Sequence, residues 1–409
     1  MALFKLPFLL ANRLSRDKKN NYSRPIIAIS VAGVALCLLV MLIALAVTDG
    51  YKKEIRNRVI AMGSHIRISN YDFNYSFEPI PFEKNQPFIA QLENQPEIIS
   101  LQYFATKIGI VKTDDQVEGI VLKGIDRSFS WEHFGNNIVE GEPIIFEDNV
   151  ISNQVLLSRK LSQKLQLQVG NKLRVYFAQD PPMQRAFTIS GLFETGLPEF
   201  DENFLIADLR HIRKVNRWDD DQVGGVEIII ANYDRINEMG DFVNSAIGYQ
   251  LKAETIKEIY PQIFEWIAMF DTNVLVLIII IAIICVITMI STFLIVVLEQ
   301  TATIGILKTM GIKNSGIIRI FLIIASKILL IGLLIGDGIA LLLSFFQNKF
   351  HFLKLDPETY YVPYVPLEMD AWMFLITNLG ILMLCLSVLA IPAYYISKKI
   401  TPVNAIKME

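Results

Sequence analysis

The chain has 409 residues, of which 52% are hydrophobic and 19% charged, and its mean hydropathy is +0.40. It is too apolar for an ordinary soluble protein and too charged to lie wholly in lipid, so membrane helices joined to a sizeable water-exposed part are expected. With a net charge of −3 and no Lys/Arg run, it offers no basic surface suited to nucleic acid.

Residues 1–25 form a basic segment in which Lys5, Arg13, Arg16, Lys18, Lys19 and Arg24 stand against Asp17. Residues 26–47 carry no charge. Roughly 20 apolar residues cross a ~30 Å hydrocarbon core, so this run is long enough to span. Ala44-Leu45-Ala46 looks like a signal-cleavage site. The apolar run is too long for a signal sequence, however, and the segment before it is too long for a signal's basic head. A retained first membrane helix with a cytoplasmic N-terminus is expected.

Residues 48–272 read as an exported stalk and domain. Tyr51, Ile55, Val59 and Met62 recur at helical spacing, with Lys52, Lys53, Arg56 and Arg58 on the other faces, which predicts a rigid stalk. Strand patterns follow at 65–68, 108–111, 119–122, 172–177, 187–193 and 226–230, and helices are predicted at 158–167, 209–215, 236–247 and 254–270. The mixture predicts an α+β domain. Between two of the strands, Gln179-Asp-Pro-Pro-Met-Gln-Arg185 should project as a stiff loop, because paired prolines cannot serve a central ladder.

A second span is predicted at 273–298, a polar connection at 299–319 and a third span at 320–346. In the connection, Ile304, Leu307 and Met310 recur at helical spacing, and Gly305 and Gly311 are read as allowing close backbone approach. A short helix lying flat at a membrane face suits docking on a partner. The third span contains Lys327 and Asp337, about 15 Å apart along a helix and on different faces, so they cannot pair with each other. Lys327 can snorkel to the near interface, whereas Asp337 must face other helices or water. Gly332 and Gly336 have the spacing of a close helix-packing motif.

Residues 347–370 form a short acidic outer loop, 371–396 a fourth span and 397–409 a basic tail. The inward bias of Lys and Arg places both termini in the cytoplasm. The expected fold is therefore an α-helical four-span membrane bundle with a large α+β periplasmic domain inserted between the first and second spans.

The chain lacks a nucleotide-binding phosphate loop, a zinc-protease helix motif, a nucleophile elbow and a Cys-x-x-Cys pair. His65, His133, His211 and His351 show no ligand spacing, and Cys37, Cys285 and Cys385 fall inside apolar runs. The acidic triplet Asp219-Asp-Asp221 reads as a solvated loop. No catalytic, metal or cofactor residues are expected on this chain.

This layout resembles the permease family that includes MacB, FtsX and the lipoprotein-releasing Lol permeases. Glu299 followed by Ile304-Gly-Ile-Leu-Lys-Thr-Met-Gly311 is similar to the family's cytoplasmic coupling segment. The ending Lys398-Lys-Ile-Thr-Pro402-Val-Asn-Ala-Ile-Lys407 resembles its terminal pattern. Gly33-Val-Ala-Leu with Val47-Thr-Asp-Gly50-Tyr-Lys-Lys-Glu54, and Tyr360-Tyr-Val-Pro-Tyr-Val-Pro-Leu-Glu368, look like the first span and last outer loop of the Lol branch. One departure stands out: the family often has a glutamate just before the first Ile of its coupling segment, whereas Gln300-Thr-Ala-Thr303 is neutral here.

The resemblance implies a non-catalytic permease of the bacterial inner membrane, paired with a second permease subunit and driven by a separate cytoplasmic ABC ATPase that holds the ATP and Mg. Glu299, Ile304, Gly305, Ile306, Leu307, Lys308, Met310 and Gly311 would couple to that ATPase. Pro181, Pro182, Met183, Gln184 and Arg185 sit where a Lol subunit engages a periplasmic lipoprotein carrier, and lipoproteins would be the cargo. The alternative within the family is a mechanical relay acting in efflux or in control of a cell-wall hydrolase.

Overall fold

The computed structural model describes residues 23–71, 77–113, 116–148 and 150–399. The basic N-terminal segment up to residue 22 and the terminal motif from residue 400 lie outside the described residues. The chain divides into two compact units.

One unit gathers the described residues up to Lys53, Trp266–Leu355 and those from Tyr364 onward. Among the described residues, four helices are long and apolar enough to cross a membrane: α1 (Ser23–Gly63), α5 (Pro261–Glu299), α7 (Asn314–Phe350) and α8 (Ala371–Lys399). The short helix α6 (Thr301–Thr309) lies between α5 and α7. Leu38, Met289, Phe293, Leu329 and Leu389 belong to the buried core of this unit. Cys285 and Cys385 are buried there as free thiols, with their sulfurs 3.9 Å apart. The outward faces stay apolar, as with Ile280, Ile284 and Ile287 of α5, which suits contact with lipid. Each predicted span lies inside a longer helix.

The other unit comprises Glu54–Glu265 and Asp356–Pro363. Its strands are β1 (Ile66–Asn70), β2 (Phe82–Glu83), β3 (Ile98–Lys112), β4 (Val117–Ile125), β5 (Ile138–Gly141), β6 (Gln154–Ser158), β7 (Lys172–Phe177), β8 (Met183–Phe193), β9 (Phe204–Asp208), β10 (Gln222–Val223), β11 (Gly225–Ile230) and β12 (Leu251–Thr255). The main sheet runs β12-β1-β11-β3-β4-β9-β6-β8-β5, with β7 bridging β3 and β8. That bridge closes a ring through β3, β4, β9, β6, β8 and β7. The β4–β9 and β6–β8 pairs are parallel and the remaining pairs antiparallel. β7 alternates buried and exposed as a strand with one solvated face should, whereas β9 and β11 are buried throughout. Helices α2 (Arg159–Leu165), α3 (Leu209–Asn216) and α4 (Ile236–Ala246) occupy three of the predicted helical stretches, and the stalk residues Ile55, Val59 and Met62 are buried as their spacing requires.

The helix expected at 254–270 is a correction. Glu254 and Thr255 finish β12, a single turn Ile256–Ile259 follows, and α5 begins only at Pro261. Thr255 and Glu258 form a capping box that starts the turn, and Pro261, a residue favoured at the first helical position, opens the next helix.

Candidate coupling and docking site

Helix α6 is divided by its own periodicity. Ile304 and Leu307 are 1% and 8% exposed and belong to the bundle core, and Gly305 is buried beside them. Ile306 and Met310 point the other way, 61% and 75% exposed. The spacing grouped Met310 with Ile304 and Leu307, but Met310 is the C-cap, where the helical phase has ended. Of the predicted coupling residues, the outward apolar pair is therefore Ile306 and Met310. Glu299 ends α5 half-buried, and Lys308 is also half-buried, with desolvation pushing its ammonium pKa down.

Gly311 terminates α6 for a reason unlike the one expected. Its φ is +87° and nothing lies within 4 Å of the position of a Cβ, so it supplies the left-handed turn rather than room for a neighbour. The amide of Gly311 donates to Lys308 and that of Ile312 to Leu307, the paired bonds of a Schellman cap. The neutral stretch before the helix is internally satisfied, since the Thr303 hydroxyl donates to the Gln300 side chain at 2.9 Å.

The loop expected over 179–185 is shorter than its sequence suggests. Met183, Gln184 and Arg185 already belong to β8, paired with Phe177, Tyr176 and Val175 of β7. Only Pro181 and Pro182 of the proposed carrier-binding residues lie in the hairpin loop, because the ladder resumes as soon as amide donors return. Gln179 ties this loop back by donating to the Val215 carbonyl at 3.0 Å.

In α7, Asp337 accepts a hydrogen bond from Asn378 of α8 at 3.0 Å. Asn378 was not singled out in the sequence; a lone amide in an otherwise apolar span was the available signal. Lys327 is half-buried on the same helix. The two motifs around Gly50 and Pro366 meet in space: the Glu368 amide donates to the Ala46 carbonyl at 3.1 Å, and the Glu368 carboxylate pairs with Lys53. Gln347, fully buried, holds the outer loop by donating to the Leu353 and Val365 carbonyls at 3.2 and 2.9 Å.

Sequence reasoning also missed a charge cluster inside the sheet-bearing unit. Lys123 donates to both oxygens of Glu227 at 2.8 Å and to the carbonyl of Met62. Arg67 reaches the same carboxylate at 3.5 Å and hydrogen-bonds Tyr260. Burial pushes the Lys123 ammonium pKa down, while Glu227 pulls it back.

Residues 27–240 match the MacB-like periplasmic core domain family, and residues 275–400 match the FtsX-like permease C-terminal family. The chain is 23% identical over 393 residues to the lipoprotein-releasing system transmembrane protein LolC of Neisseria meningitidis serogroup B, covering 90% of this chain and 91% of that protein. It is 23% identical over 412 residues to LolE of Haemophilus influenzae, covering 92% and 94%. Among solved structures, the periplasmic region of MacB from Actinobacillus actinomycetemcomitans aligns with a TM-score of 0.34 and 13% identity, over 48% of this chain and 91% of that one.

Proposed function

Because the chain belongs to the family of permeases with a MacB-like periplasmic core domain and an FtsX-like C-terminal part, we propose that it is the membrane subunit of an ABC transporter releasing lipoproteins from the inner membrane. In this reading the sheet-bearing domain is inserted between the first and second spans and faces the periplasm. Both termini and α6 are cytoplasmic. The chain works with a second permease subunit and a separate ATPase that binds ATP and Mg, and it contributes no catalytic group of its own. Released lipoprotein passes to a periplasmic carrier, with Pro181 and Pro182 offered as part of the carrier contact.

The observation that carries the coupling role is the two-sided α6. Ile304 and Leu307 lock it into the bundle, while Ile306 and Met310 are left facing outward. A partner pressing on that outer face acts on core residues one turn away. Likeness to LolC and LolE over most of the chain supports lipoprotein as the cargo.

The test is affinity purification from mild detergent followed by reconstitution in proteoliposomes. A co-purifying ATPase and ATP-dependent appearance of acylated protein on a soluble carrier are expected. Recovery of an outer-membrane channel or a cell-wall hydrolase in their place would overturn lipoprotein release in favour of a mechanical relay.

A further inference from the structure

Two cationic side chains hold the stalk at points one helical turn apart. Met62 lies in the last turn of α1, where carbonyls have no partner within the helix, and its carbonyl accepts from the Lys123 ammonium of β4. A cation there also answers the negative end of the helix dipole. Arg58 is four residues earlier and so on the same face. Its Nη1 donates to the Thr195 carbonyl at 2.7 Å, and its Nε donates to Glu54 at 2.9 Å.

Each anchor is braced from behind. Lys123 is held by both oxygens of Glu227. Thr195, just beyond β8, is fully buried, and Asp201 accepts from its amide and hydroxyl at 2.9 Å and from the Gly196 amide at 2.8 Å. Gly196 has a φ of +75°, and a Cβ on it would stand 2.5 Å from Arg58 Nη1, so glycine leaves the arginine its way in. β4 and β8 are not neighbours, since β9 and β6 lie between them. The stalk is thus tied to two separate parts of the sheet.

Burial of Ile55, Val59 and Met62 holds the stalk down, but the hydrophobic effect is non-directional and leaves a helix free to turn or slide. A buried ion pair, for its part, adds little stability over apolar groups of the same volume. What these polar contacts add is geometry, because one point makes a pivot and two points fix a line. We propose that Arg58, through Thr195, and Lys123, through Met62, clamp the stalk at two points and so fix the direction of residues 54–63 against the sheet, as positioning residues for cargo release. The part that concerns release rests on the transport reading above.

The experiment is double electron–electron resonance on the full chain in lipid nanodiscs, diluted with unlabelled chain. Cys37, Cys285 and Cys385 are replaced by alanine, and nitroxides are attached at Asn57→Cys on the stalk and Val117→Cys on β4, both exposed positions. The wild-type clamp should give one narrow distance distribution. Arg58→Met, and separately Lys123→Met with Glu227→Gln, should each widen it at least twofold, whereas a merely stabilising contact would lower the unfolding midpoint and leave the width alone. Wild-type width in a folded Arg58→Met chain overturns the proposal. That variant keeps the aliphatic packing of the side chain, and it decides alone if the double variant does not fold. In reconstituted transport, acylated protein released per ATP should fall about tenfold in Arg58→Met with hydrolysis unchanged. Unchanged release beside a widened distribution overturns the role in release. A wild-type chain that releases no acylated protein counts against the transport reading, and the distances still judge the clamp.

Discussion

A Cβ placed on Gly50 would stand 2.6 Å from the carbonyl oxygen of Pro366, closer than real contacts of that kind. The obstacle is backbone, so it cannot rotate away. Gly50→Ala should therefore shift the outer loop and lower stability by about 1–3 kcal/mol. Thermal unfolding of the purified chain checks this, and an unchanged midpoint would mean the loop yields freely.

The two faces of α6 should separate function from folding. Ile306→Asp and Met310→Asp should cut partner-stimulated ATP hydrolysis while leaving the unfolding midpoint in place, since both side chains are exposed. Ile304→Ala and Leu307→Ala should instead cost about 2–5 kcal/mol of stability by opening the core. ATPase assays beside melting curves distinguish the two classes.

Close helix packing at Gly336 gives a third expectation. A Cβ there would lie 2.7 Å from the Ala35 carbonyl of α1, and one on Gly332 would lie 2.8 Å from the Val34 Cβ. Gly336→Leu should drive α1 off α7 and reduce heat stability, whereas Gly338→Leu on the same helix should not, because nothing lies within 4 Å of its Cβ position. A cross-link between cysteines placed on α1 and α7 would report the separation.

Lys123 and Glu227 are 3% and 1% exposed at the side chain. Lys123→Met leaves a buried carboxylate with only the 3.5 Å contacts from Arg67 and the Ser64 hydroxyl and should cost about 3–5 kcal/mol. The double variant Lys123→Met with Glu227→Gln should recover much of that loss. A double variant no more stable than Lys123→Met would show that the pair is not energetically coupled.

His65 supplies a pH dependence. Burial first, then the nearby His133 and Arg56, lower its pKa from 6.5 to about 4, so it is held neutral in the fold. A depressed folded pKa means the unfolded chain binds the proton more readily. The stability is thus complete above pH 6.5 and falls as pH drops from there toward 4, by roughly 3 kcal/mol at most. Unfolding midpoints across pH 7.5 to 4.5 should decline, and His65→Gln should flatten that slope.

What the sequence determined by itself was whatever a local pattern can specify. Apolar runs near the length of a bilayer identified the four long apolar helices of the described residues, period-two alternation marked β7 to the residue, and helical spacing marked α3 and α4. Pairing over long separations was legible only as separate motifs: Gly50 and Glu368 each drew notice, but nothing in either segment states that they meet. Tertiary structure alone decided that Ile304 faces the core while Met310 does not, that Arg185 belongs to a ladder, and that Asp337 finds Asn378. It also assembled Arg67, Lys123 and Glu227 from three different strands. Hydrophobic periodicity is a property of neighbours along the chain, whereas a buried charge is tolerated only by partners brought from elsewhere, so sites of this kind come into being only as the sheet closes.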